Sequence, residues 1–317
     1  MMDLSICILT RYQPELLPKC VASCVAEIES SGISAEVIII DNASWDGSPQ
    51  RMAGLYPMVR VIRNEENLGF SASNNRAIRI SQGRNVLVLN DDAMLKKGSL
   101  GLMLSALESG SRVGAVGPKL LNSDGSVQRN YTHRRFPRVR SLLCGFLGLD
   151  ALFEKWAWTR DVFTHGLDSE VSGETDHVAG ACLLARREAL ESVGLFDEKF
   201  YYLFEDADLC HRLKDAGWRI VYLADAHVTH FGSASMNKLT QLDKSAIVFR
   251  SMGYYFDKHF SRFESRLLRL ALASLFLVRL PFFCVYRMFR YGPTRQEWKE
   301  STGRSLQAVR SLLLERP

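Results

Sequence analysis

The sequence lacks several features that would assign it to a specialised class of protein. Its seven cysteines are odd in number and scattered, and Cys20 and Cys24 do not form a CxxC pair. Buried free thiols in a reducing cytosol are therefore expected. The N-terminus has no basic leader segment and has the pattern of a first strand, so we do not expect export. Internal repeats and low-complexity tracts are absent as well.

Positive charge is scarce in the body of the chain and concentrated in its tail. The whole sequence has a formal net charge of +5, whereas residues 258–317 contain twelve Lys and Arg against four Asp and Glu. The rest of the chain therefore carries a net negative charge, which argues against a nucleic-acid-binding core. A basic tail on an acidic body suggests that one end of the protein meets an anionic surface.

The tail also lacks an apolar run of membrane-spanning length. Residues 260–290 are rich in leucine and phenylalanine, but Arg269, Arg279, Pro281 and Arg287 interrupt them before any run reaches about 18 residues. Two alternatives stay open: a helix or helical hairpin in the headgroup region of an anionic membrane, or a helix packed on the body.

What is present is a pattern of alternating strands and helices. The length of 317 residues and the hydrophobic content of 47% permit a large core in one big domain or two smaller ones. The first 120 residues show the βαβ rhythm of a parallel sheet. The predicted strands are Leu4–Thr10, Glu36–Asp41, Val59–Arg63, Asn85–Asn90 and Val113–Val116, and the predicted helices are Pro14–Ser30, Ser71–Ser81 and Ser99–Glu108.

The second half has a less regular pattern. Residues 122–176 mix turns with aromatic and basic residues, including Arg134 and Arg135, and support no assignment beyond a mobile loop near a substrate. Regular patterns then resume. They predict order over His177–Leu184, helices over Arg187–Ser192 and from Glu205 to a stop at Gly217, and a strand over Arg219–Leu223.

Three oxygen-bearing side chains end the fourth predicted strand. Asn90, Asp91 and Asp92 follow the apolar run Val86–Leu89, and ligands of parallel sheets bind just beyond the carboxyl ends of the strands. Asn90 and Asp92 share one face of an extended chain, so they could offer oxygens to a Mg²⁺ or Mn²⁺ ion that holds the phosphates of a substrate. Taken alone, the triplet favours the alternative of a polar turn after a strand.

A second acidic pair begins a predicted helix. Glu205 and Asp206 lie in its first turn, and Asp206 is our candidate for a general base. The helix dipole favours an ionised Asp206, whereas the charge of Glu205 and the phosphates of a substrate oppose it, and both outcomes stay open. The alternative is ordinary N-capping of a solvated helix. His230 could add an imidazole to a metal or touch a phosphate, and His227 has the same claim by composition, although a lone histidine is more often structural.

Five short motifs follow one another along the chain. They are Ile8-Leu9-Thr10-Arg11-Tyr12, residues 37–48 (VIIIDNASWDGS), Asn67-Leu68-Gly69-Phe70 through Asn75, Asn90-Asp91-Asp92, and Gly194 through Cys210. In this order and spacing they resemble the family-2 glycosyltransferases of the GT-A fold, especially the bacterial rhamnosyltransferase-like branch. The resemblance covers residues 4–235.

The resemblance implies a GT-A-type α/β fold with a mainly parallel central sheet, flanking helices and a C-terminal helical extension. It divides the chain into a nucleotide-sugar-binding half (1–120), an acceptor-binding and catalytic half (121–240) and a basic, apolar extension (241–317). The resemblance implies that Thr10, Asp41 and Asn42 contact the base or ribose, and that Asn67, Gly69 and Asn75 line the donor pocket. Asn90, Asp91 and Asp92 would form the metal motif, with Asp92 as the main ligand and His230 also at the metal. The implied catalytic carboxylates are Asp206 and Glu205.

The implied activity is the metal-dependent, inverting transfer of one sugar from a nucleoside diphosphate, with Mn²⁺ or Mg²⁺ as cofactor. The resemblance suggests L-rhamnose on dTDP, or a UDP-linked sugar, as donor and a lipid-linked saccharide of cell-envelope polysaccharide synthesis as acceptor. The QxxRW motif of processive members is absent, which favours addition of one or a few sugars. We expect peripheral contact of the tail with the cytoplasmic face of the inner membrane, and no nucleic-acid partner.

Two alternative functions stay open. A sugar nucleotidyltransferase would also use a parallel sheet and Mg²⁺, but it would need a glycine-rich phosphate loop after the first strand, and Thr10–Pro14 contains no glycine. A catalytically silent nucleotide-sugar-binding scaffold would keep the sheet without its base. Intact Asp92 and Asp206 argue against that alternative.

Overall fold

The computed structural model describes residues 2–129, 132–139, 167–232 and 241–274, with the backbone alone for 241–246. The strands are β1 Leu4–Thr10, β2 Ala35–Asn42, β3 Val59–Asn64, β4 Asn85–Asn90, β5 Ala93–Leu95, β6 Val113–Leu121, β7 His133–Arg134, β8 Gly173–Glu174, β9 His177–Val178, β10 Cys182–Arg186 and β11 Arg219–His230. The helices are α1 Leu17–Ser31, α2 Ser48–Leu55, α3 Gly69–Ile80, α4 Ser99–Glu108, α5 Arg187–Ser192, α6 Glu205–Asp215 and α7 Gln241–His259.

Most of these strands form one mixed sheet. Its order is β3-β2-β1-β4-β10-β6-β11-β5, and β8 adds to β11. The four strands at the β3 end are parallel to one another, and so are β6 and β11. Strand β10 runs antiparallel between the two parallel groups. The structure therefore confirms the predicted α/β fold with a mainly parallel central sheet.

The core lies on both faces of this sheet because its central strands are apolar throughout. Ile6 and Ile8 of β1 are fully buried on one face and Cys7 on the other, as the alternation of a strand requires. The face of Ile6 and Ile8 belongs to the core cluster that includes residues of α1 and α4. The cysteines of the described residues are free and buried, and burial raises the pKa of the Cys7 thiol to about 12. The prediction of buried free thiols is confirmed for these positions.

Two strands are longer than the sequence pattern predicted. The predicted strand Val113–Val116 continues through Gly117 and Pro118 to Leu121, because β6 pairs in parallel with β11. Gly117 has a packing reason: a Cβ atom there would lie 2.5 Å from the Cβ of Val178. Strand β11 likewise continues past Leu223 after an irregularity in its register, and it therefore ends at His230.

The described chain divides into two compact units. Of the described residues, 2–129, 132–136, 167–201 and 205–232 form the first unit, which contains the sheet; residues 137–139, 202–204 and 241–274 belong to the second. In the second unit, α7 is followed by helical backbone over 262–274, and Arg269 pairs with Asp257 at 2.5 Å. Within the described part of the chain, no helix combines the length and apolarity needed to cross a membrane. The predicted apolar segment beyond residue 274 lies outside the described residues.

Candidate active site

The predicted site residues of the first half meet at one edge of the sheet. Thr10 at the end of β1 pairs in register with Asp41 at the end of β2. The preceding residue of β1, Leu9, pairs with Asn90 at the end of β4. Parallel strands bring their carboxyl ends to the same edge, which is where α/β sheets bind ligands. The structure thus brings together three motifs that are far apart in sequence.

Strand pairing also brings the acidic triplet next to His230. Residue Ala93, directly after Asp92, pairs with His230, and the backbone N–H of Phe231 donates to the carbonyl oxygen of Asp92 at 2.9 Å. The Nε2 atom of His230 lies 3.3 Å from Oδ1 of Asp92 and 3.5 Å from the amide nitrogen of Asn90. His230 and Asp92 are both buried. The side chains that sequence analysis proposed as metal ligands therefore converge on one point.

This arrangement fits a divalent cation. Oδ1 of Asp92 is buried and has no hydrogen-bond partner among the described residues, which is costly for a carboxylate oxygen unless a ligand satisfies it. Carboxylate oxygen and imidazole nitrogen suit Mn²⁺, and Mg²⁺ accepts the oxygen ligands. The amide of Asn90, in the first position of the motif, is a neutral and weaker ligand.

His227 does not belong to this cluster. It lies three residues before His230 on β11, so its side chain points to the opposite face of the strand. Its backbone is engaged with α4: the N–H of His227 donates to Oγ of Ser99, and its carbonyl oxygen accepts from Ser99 and Lys96. Of the two candidate histidines, only His230 faces the acidic motif.

Asp91 has a connecting role. Its Oδ2 accepts a hydrogen bond from the backbone N–H of Arg11 at 3.3 Å, which joins the ends of β4 and β1. Arg11 itself lies with its guanidinium carbon 5.2 Å from the ring centroid of Tyr12, and that ring lies 5.2 Å from Trp45. Trp45 is 80% exposed, so an aromatic surface borders the site on this side.

Thr10 and Asp41, both expected at the donor nucleotide, differ in their hydrogen bonding. Oγ1 of Thr10 is buried and has no hydrogen-bond partner in the described part of the chain, as expected for a group that awaits a ligand. Asp41 is buried and accepts from the N–H of Ser44 at 2.8 Å and from Gln50 at 3.4 Å. Asp41 therefore shapes the turn after β2, with one hydrogen bond to each carboxylate oxygen.

The asparagines of the donor motifs mainly connect protein segments. Oδ1 of Asn42 accepts from Asn64 and from the N–H of Leu68, each at 3.0 Å, and its amide N–H donates to Asn67 at 2.5 Å. Oδ1 of Asn67 also accepts from the N–H of Gly69 at 3.1 Å. These bonds hold the start of α3 against the end of β2. They occupy the Oδ1 atoms of both amides, whereas the NH₂ group of Asn67 takes part in none of them.

Two further residues of this motif contact the later catalytic motif. The amide of Asn75 donates to the carbonyl oxygen of Phe196 and to Glu198, both at 2.9 Å, and its Oδ1 accepts from the N–H of Phe196 at 3.0 Å. A Cβ atom at Gly69 would lie 2.6 Å from the carbonyl oxygen of Tyr201. The buried amide of Asn75 therefore has both N–H groups engaged with protein partners, and its contact with a donor stays a prediction.

Asp206 lies in the first turn of α6 and is surrounded by hydrogen-bond donors. The N–H of Gly180 donates to its Oδ2 at 3.1 Å, Nε2 of His177 lies 3.2 Å from its Oδ1, and Arg134 lies 3.5 Å from its Oδ2. Burial alone would raise the pKa of Asp206, but His177, Arg134 and the Gly180 N–H together hold that pKa well below its usual range. The carboxylate is therefore ionised at neutral pH.

Glu205 differs sharply from its neighbour. Its side chain is buried, and its Oε2 has no hydrogen-bond partner among the described residues. Burial, and then the negative charge of Asp206, raise the pKa of Glu205 well above the ordinary range. The pKa values of these adjacent acids are therefore shifted in opposite directions. Asp206 is the ionised carboxylate, and Glu205 favours its neutral form.

Two residues that sequence analysis did not propose determine this environment. Strands β7 and β9 pair antiparallel with Arg134 opposite His177, and this pairing brings both side chains to Asp206. Arg134 was noticed only as a basic residue in an unassigned stretch. Strand β7 lies inside the unassigned stretch and β9 begins directly after it, and two-residue strands leave no periodicity that sequence analysis could detect.

The metal-ligand candidates and Asp206 are joined through two consecutive residues. Gly180 donates to Asp206, and the carbonyl oxygen of Ala181 accepts from the N–H of Asn90 at 3.0 Å. A Cβ atom at Gly180 would lie 3.3 Å from the ring of Phe70 and 3.4 Å from the Cβ of Asp206, so glycine permits the close approach. Asp92 and Asp206 therefore belong to the same compact unit and flank the segment just before β10.

Known proteins resemble this chain in sequence and in architecture. A relative from Mycobacterium tuberculosis H37Rv, named N-acetylglucosaminyl-diphospho-decaprenol L-rhamnosyltransferase, is 34% identical over 217 residues, which cover 64% of this chain and 68% of the relative. Rhamnosyltransferase WbbL of Escherichia coli K12 is 27% identical over 173 residues, covering 51% of this chain and 61% of WbbL. Both relatives are rhamnosyltransferases, in agreement with the branch that the motifs indicated.

A solved structure supports the fold. The mannosyltransferase PcManGT of Pyrobaculum calidifontis, determined in complex with GDP-Man and Mn²⁺, superposes with a TM-score of 0.57 at 17% identity and covers 98% of this chain and 87% of its own. The fold is therefore of the GT-A type. The model of the family described as "Glycosyl transferase family 2" matches residues 5–194. The chain thus belongs to glycosyl transferase family 2, in its rhamnosyltransferase-like branch, and is a glycosyltransferase.

Proposed function

We propose that this glycosyltransferase moves a single sugar from a nucleoside diphosphate to an acceptor hydroxyl, with inversion at the anomeric carbon and with help from a divalent cation. The observation that carries the proposal is the pairing of two acidic centres at one sheet edge. Asp92, with its unpartnered carboxylate oxygen beside His230, is one centre. Asp206, ionised and joined to Asn90 through Gly180 and Ala181, is the other.

Asp92 and His230 would hold the cation, and Asn90 lies close enough to contribute its amide or a bridging water. When bound, Mn²⁺ or Mg²⁺ supplies positive charge that stabilises the leaving diphosphate. The chain contributes a fixed, buried pair of ligands, so little reorganisation is needed as negative charge develops. Thr10, with its unpartnered buried hydroxyl, is the best-placed residue of the first strand to contact the nucleotide.

Asp206 is the proposed general base. As the bond from the anomeric carbon to the diphosphate oxygen breaks, its electron pair leaves with the diphosphate, and the acceptor oxygen bonds to the carbon from the opposite side. The acceptor hydroxyl becomes strongly acidic as this bond forms, and Asp206 takes its proton. A carboxylate with a low pKa is a weak base for a ground-state hydroxyl. We therefore infer that proton transfer comes late in the reaction.

The donor and the acceptor are proposed from the relatives and from charge. We propose an L-rhamnosyl donor and a lipid-linked diphosphosaccharide as acceptor, because the name of the relative from M. tuberculosis contains L-rhamnosyl and N-acetylglucosaminyl-diphospho-decaprenol. That the rhamnose is carried on dTDP is the suggestion of the motif resemblance. The excess of Lys and Arg over Asp and Glu in residues 258–317 supports a site of action at an anionic membrane surface. A peripheral position at the cytoplasmic face of the inner membrane follows from this proposal.

A donor panel tests the function. Purified protein would be incubated with dTDP-rhamnose, UDP-glucose or GDP-mannose and a lipid-linked acceptor, with Mn²⁺ or with EDTA, and the nucleoside diphosphate released would be measured. We expect turnover that requires the cation and is fastest with the dTDP donor. The proposal would be contradicted if none of the three donors were turned over in the presence of Mn²⁺, or if turnover stayed complete in EDTA.

A further inference from the structure

Gln128 holds His230 by two hydrogen bonds. Its Nε2 donates to the backbone carbonyl oxygen of His230 at 2.6 Å, and its Oε1 lies 2.9 Å from Nδ1 of the His230 ring. The backbone carbonyl can only accept, so the NH₂ group of Gln128 must face it. Oε1 therefore faces the ring, and because a carbonyl oxygen cannot donate, Nδ1 must carry the proton of that hydrogen bond.

This contact determines which nitrogen of His230 is free to bind. In the neutral imidazole, a proton on Nδ1 leaves a bare lone pair on Nε2. Nε2 faces the carboxylate oxygen of Asp92 at 3.3 Å and lies 3.5 Å from Asn90. Two electron-rich atoms pointed at each other repel unless a proton or a cation lies between them. The arrangement is that of a histidine prepared for a metal by a hydrogen bond to its other nitrogen.

Gln128 is itself fixed by the local fold. After β6 the chain makes a turn with Gly125 at a φ of +84° and runs back beside the strand. The N–H of Gln128 donates to the carbonyl oxygen of Leu120 at 2.9 Å. Its own carbonyl oxygen accepts from the N–H and the hydroxyl of Thr132, at 3.1 and 2.9 Å. The side chain therefore projects from a backbone that is held in place before any ligand binds.

We propose that Gln128 is a positioning residue for the divalent cation: it selects the Nδ1–H form of His230 and orients the ring so that Nε2 faces Asp92. The proposal rests on the metal-dependent function proposed above. It assigns a role to the turn after β6, a part of the chain outside the five motifs from which the candidate ligands were inferred. Gln128 needs no contact with the substrate to act in this way.

The test compares two substitutions by Mn²⁺ binding, followed by electron paramagnetic resonance (EPR) with and without dTDP. Gln128→Leu removes both hydrogen bonds, and loss of such a supporting bond weakens metal affinity by about 10- to 100-fold. Gln128→Glu keeps an oxygen that accepts from Nδ1–H but loses the donor to the His230 carbonyl oxygen, so it is expected to bind Mn²⁺ more tightly than Gln128→Leu. Electron spin-echo modulation from the imidazole ¹⁴N should persist in Gln128→Glu and fade in Gln128→Leu.

A matched control is Gln82→Leu, which changes an exposed glutamine next to the opposite end of β4 and should leave Mn²⁺ binding unchanged. Thermal denaturation reports whether each variant is folded; if Gln128→Leu is not, Gln128→Glu and its ¹⁴N signal still decide the matter. Wild-type affinity and an unchanged ¹⁴N signal in Gln128→Leu would overturn the proposal, as would equally weak binding in Gln128→Glu. Failure of the wild type to bind Mn²⁺ would instead contradict the proposed function.

Discussion

At the scale of single residues, the main result is the opposite protonation of two adjacent acids. Asp206 is held ionised by donors from three separate segments, whereas for Glu205 burial and the negative charge of Asp206 outweigh the opposing charge of Arg134. Sequence alone could name Asp206 as a candidate base, but it could not decide whether the helix dipole or neighbouring charges would control its pKa. That decision depends on Arg134 and His177, whose approach to Asp206 is a tertiary contact.

His177 provides a test of this electrostatic control. In His177→Leu the donor to Oδ1 of Asp206 is lost, so the pKa of Asp206 should rise. The base acts in its ionised form, and activity should therefore fall as pH drops through that raised pKa. In wild type, Asp206 stays ionised across the range in which the protein is assayed, and it causes no acid limb there. The measurement is kcat/KM from about pH 5 to 8.

The conservative control for this prediction is His177→Gln, whose side-chain amide can still donate to Asp206. It should keep a profile close to that of wild type, while His177→Leu gains an acid limb. If both variants lose activity equally at every pH, His177 has a structural role only, and the electrostatic account of Asp206 is wrong.

At the scale of elements, the strands and helices of the first half were largely predictable. Strand β1, strand β4 and helix α4 have the predicted bounds, because their apolar residues recur at the spacing of a buried strand or of one helix face. Helix α2 was missed, since Ser48–Leu55 follows a turn motif and has only a short apolar face. The extension of β11 was missed because its register shifts between Leu223 and His227.

Glycines within elements give a prediction of stability. A Cβ atom at Gly117 would lie 2.5 Å from the Cβ of Val178 in β9, so Gly117→Ala should lower the free energy of unfolding by about 1–3 kcal/mol. Because β9 carries His177, activity should fall as well. Urea denaturation would measure the stability, and transfer assays would measure the activity.

Gly54 supplies the matched comparison. It is an exposed glycine in α2, and nothing lies within 4 Å of the position of its Cβ atom. Gly54→Ala should raise the free energy of unfolding by about 0.5–1 kcal/mol through higher helix propensity. If Gly117→Ala lowers the free energy of unfolding no more than Gly54→Ala does, the close packing of β6 on β9 is not as described.

At the scale of the whole molecule, the catalytic machinery and the excess positive charge belong to different parts of the chain. All the candidate ligands and Asp206 lie in the unit that contains the sheet. The excess of Lys and Arg lies in residues 258–317. Charge asymmetry of this kind was readable from composition, whereas the division into two units was not, because it depends on contacts between distant segments.

Vesicle binding tests the proposed role of the basic tail. Full-length protein should sediment with phosphatidylglycerol vesicles at low salt and less at high salt, because surface charges are screened. Replacing Arg279, Arg287 and Arg290 by Gln should weaken this binding by about 1 kcal/mol for each charge that lies near the surface. A control with Gln at the exposed body positions Arg60, Lys97 and Lys199 should bind as wild type. Equal losses in both variants would contradict a membrane role for the tail.

The central claim is that one site holds both the cation and the base. It is tested most directly in Asp206→Asn by two measurements on the same preparation: Mn²⁺-dependent binding of dTDP and the rate of sugar transfer. The account predicts nearly unchanged binding of dTDP and a loss of sugar transfer of about 10²- to 10⁴-fold. The control is Asp215→Asn, a change at the exposed end of the same helix, which should leave dTDP binding and sugar transfer unchanged. Full transfer by Asp206→Asn would contradict the account.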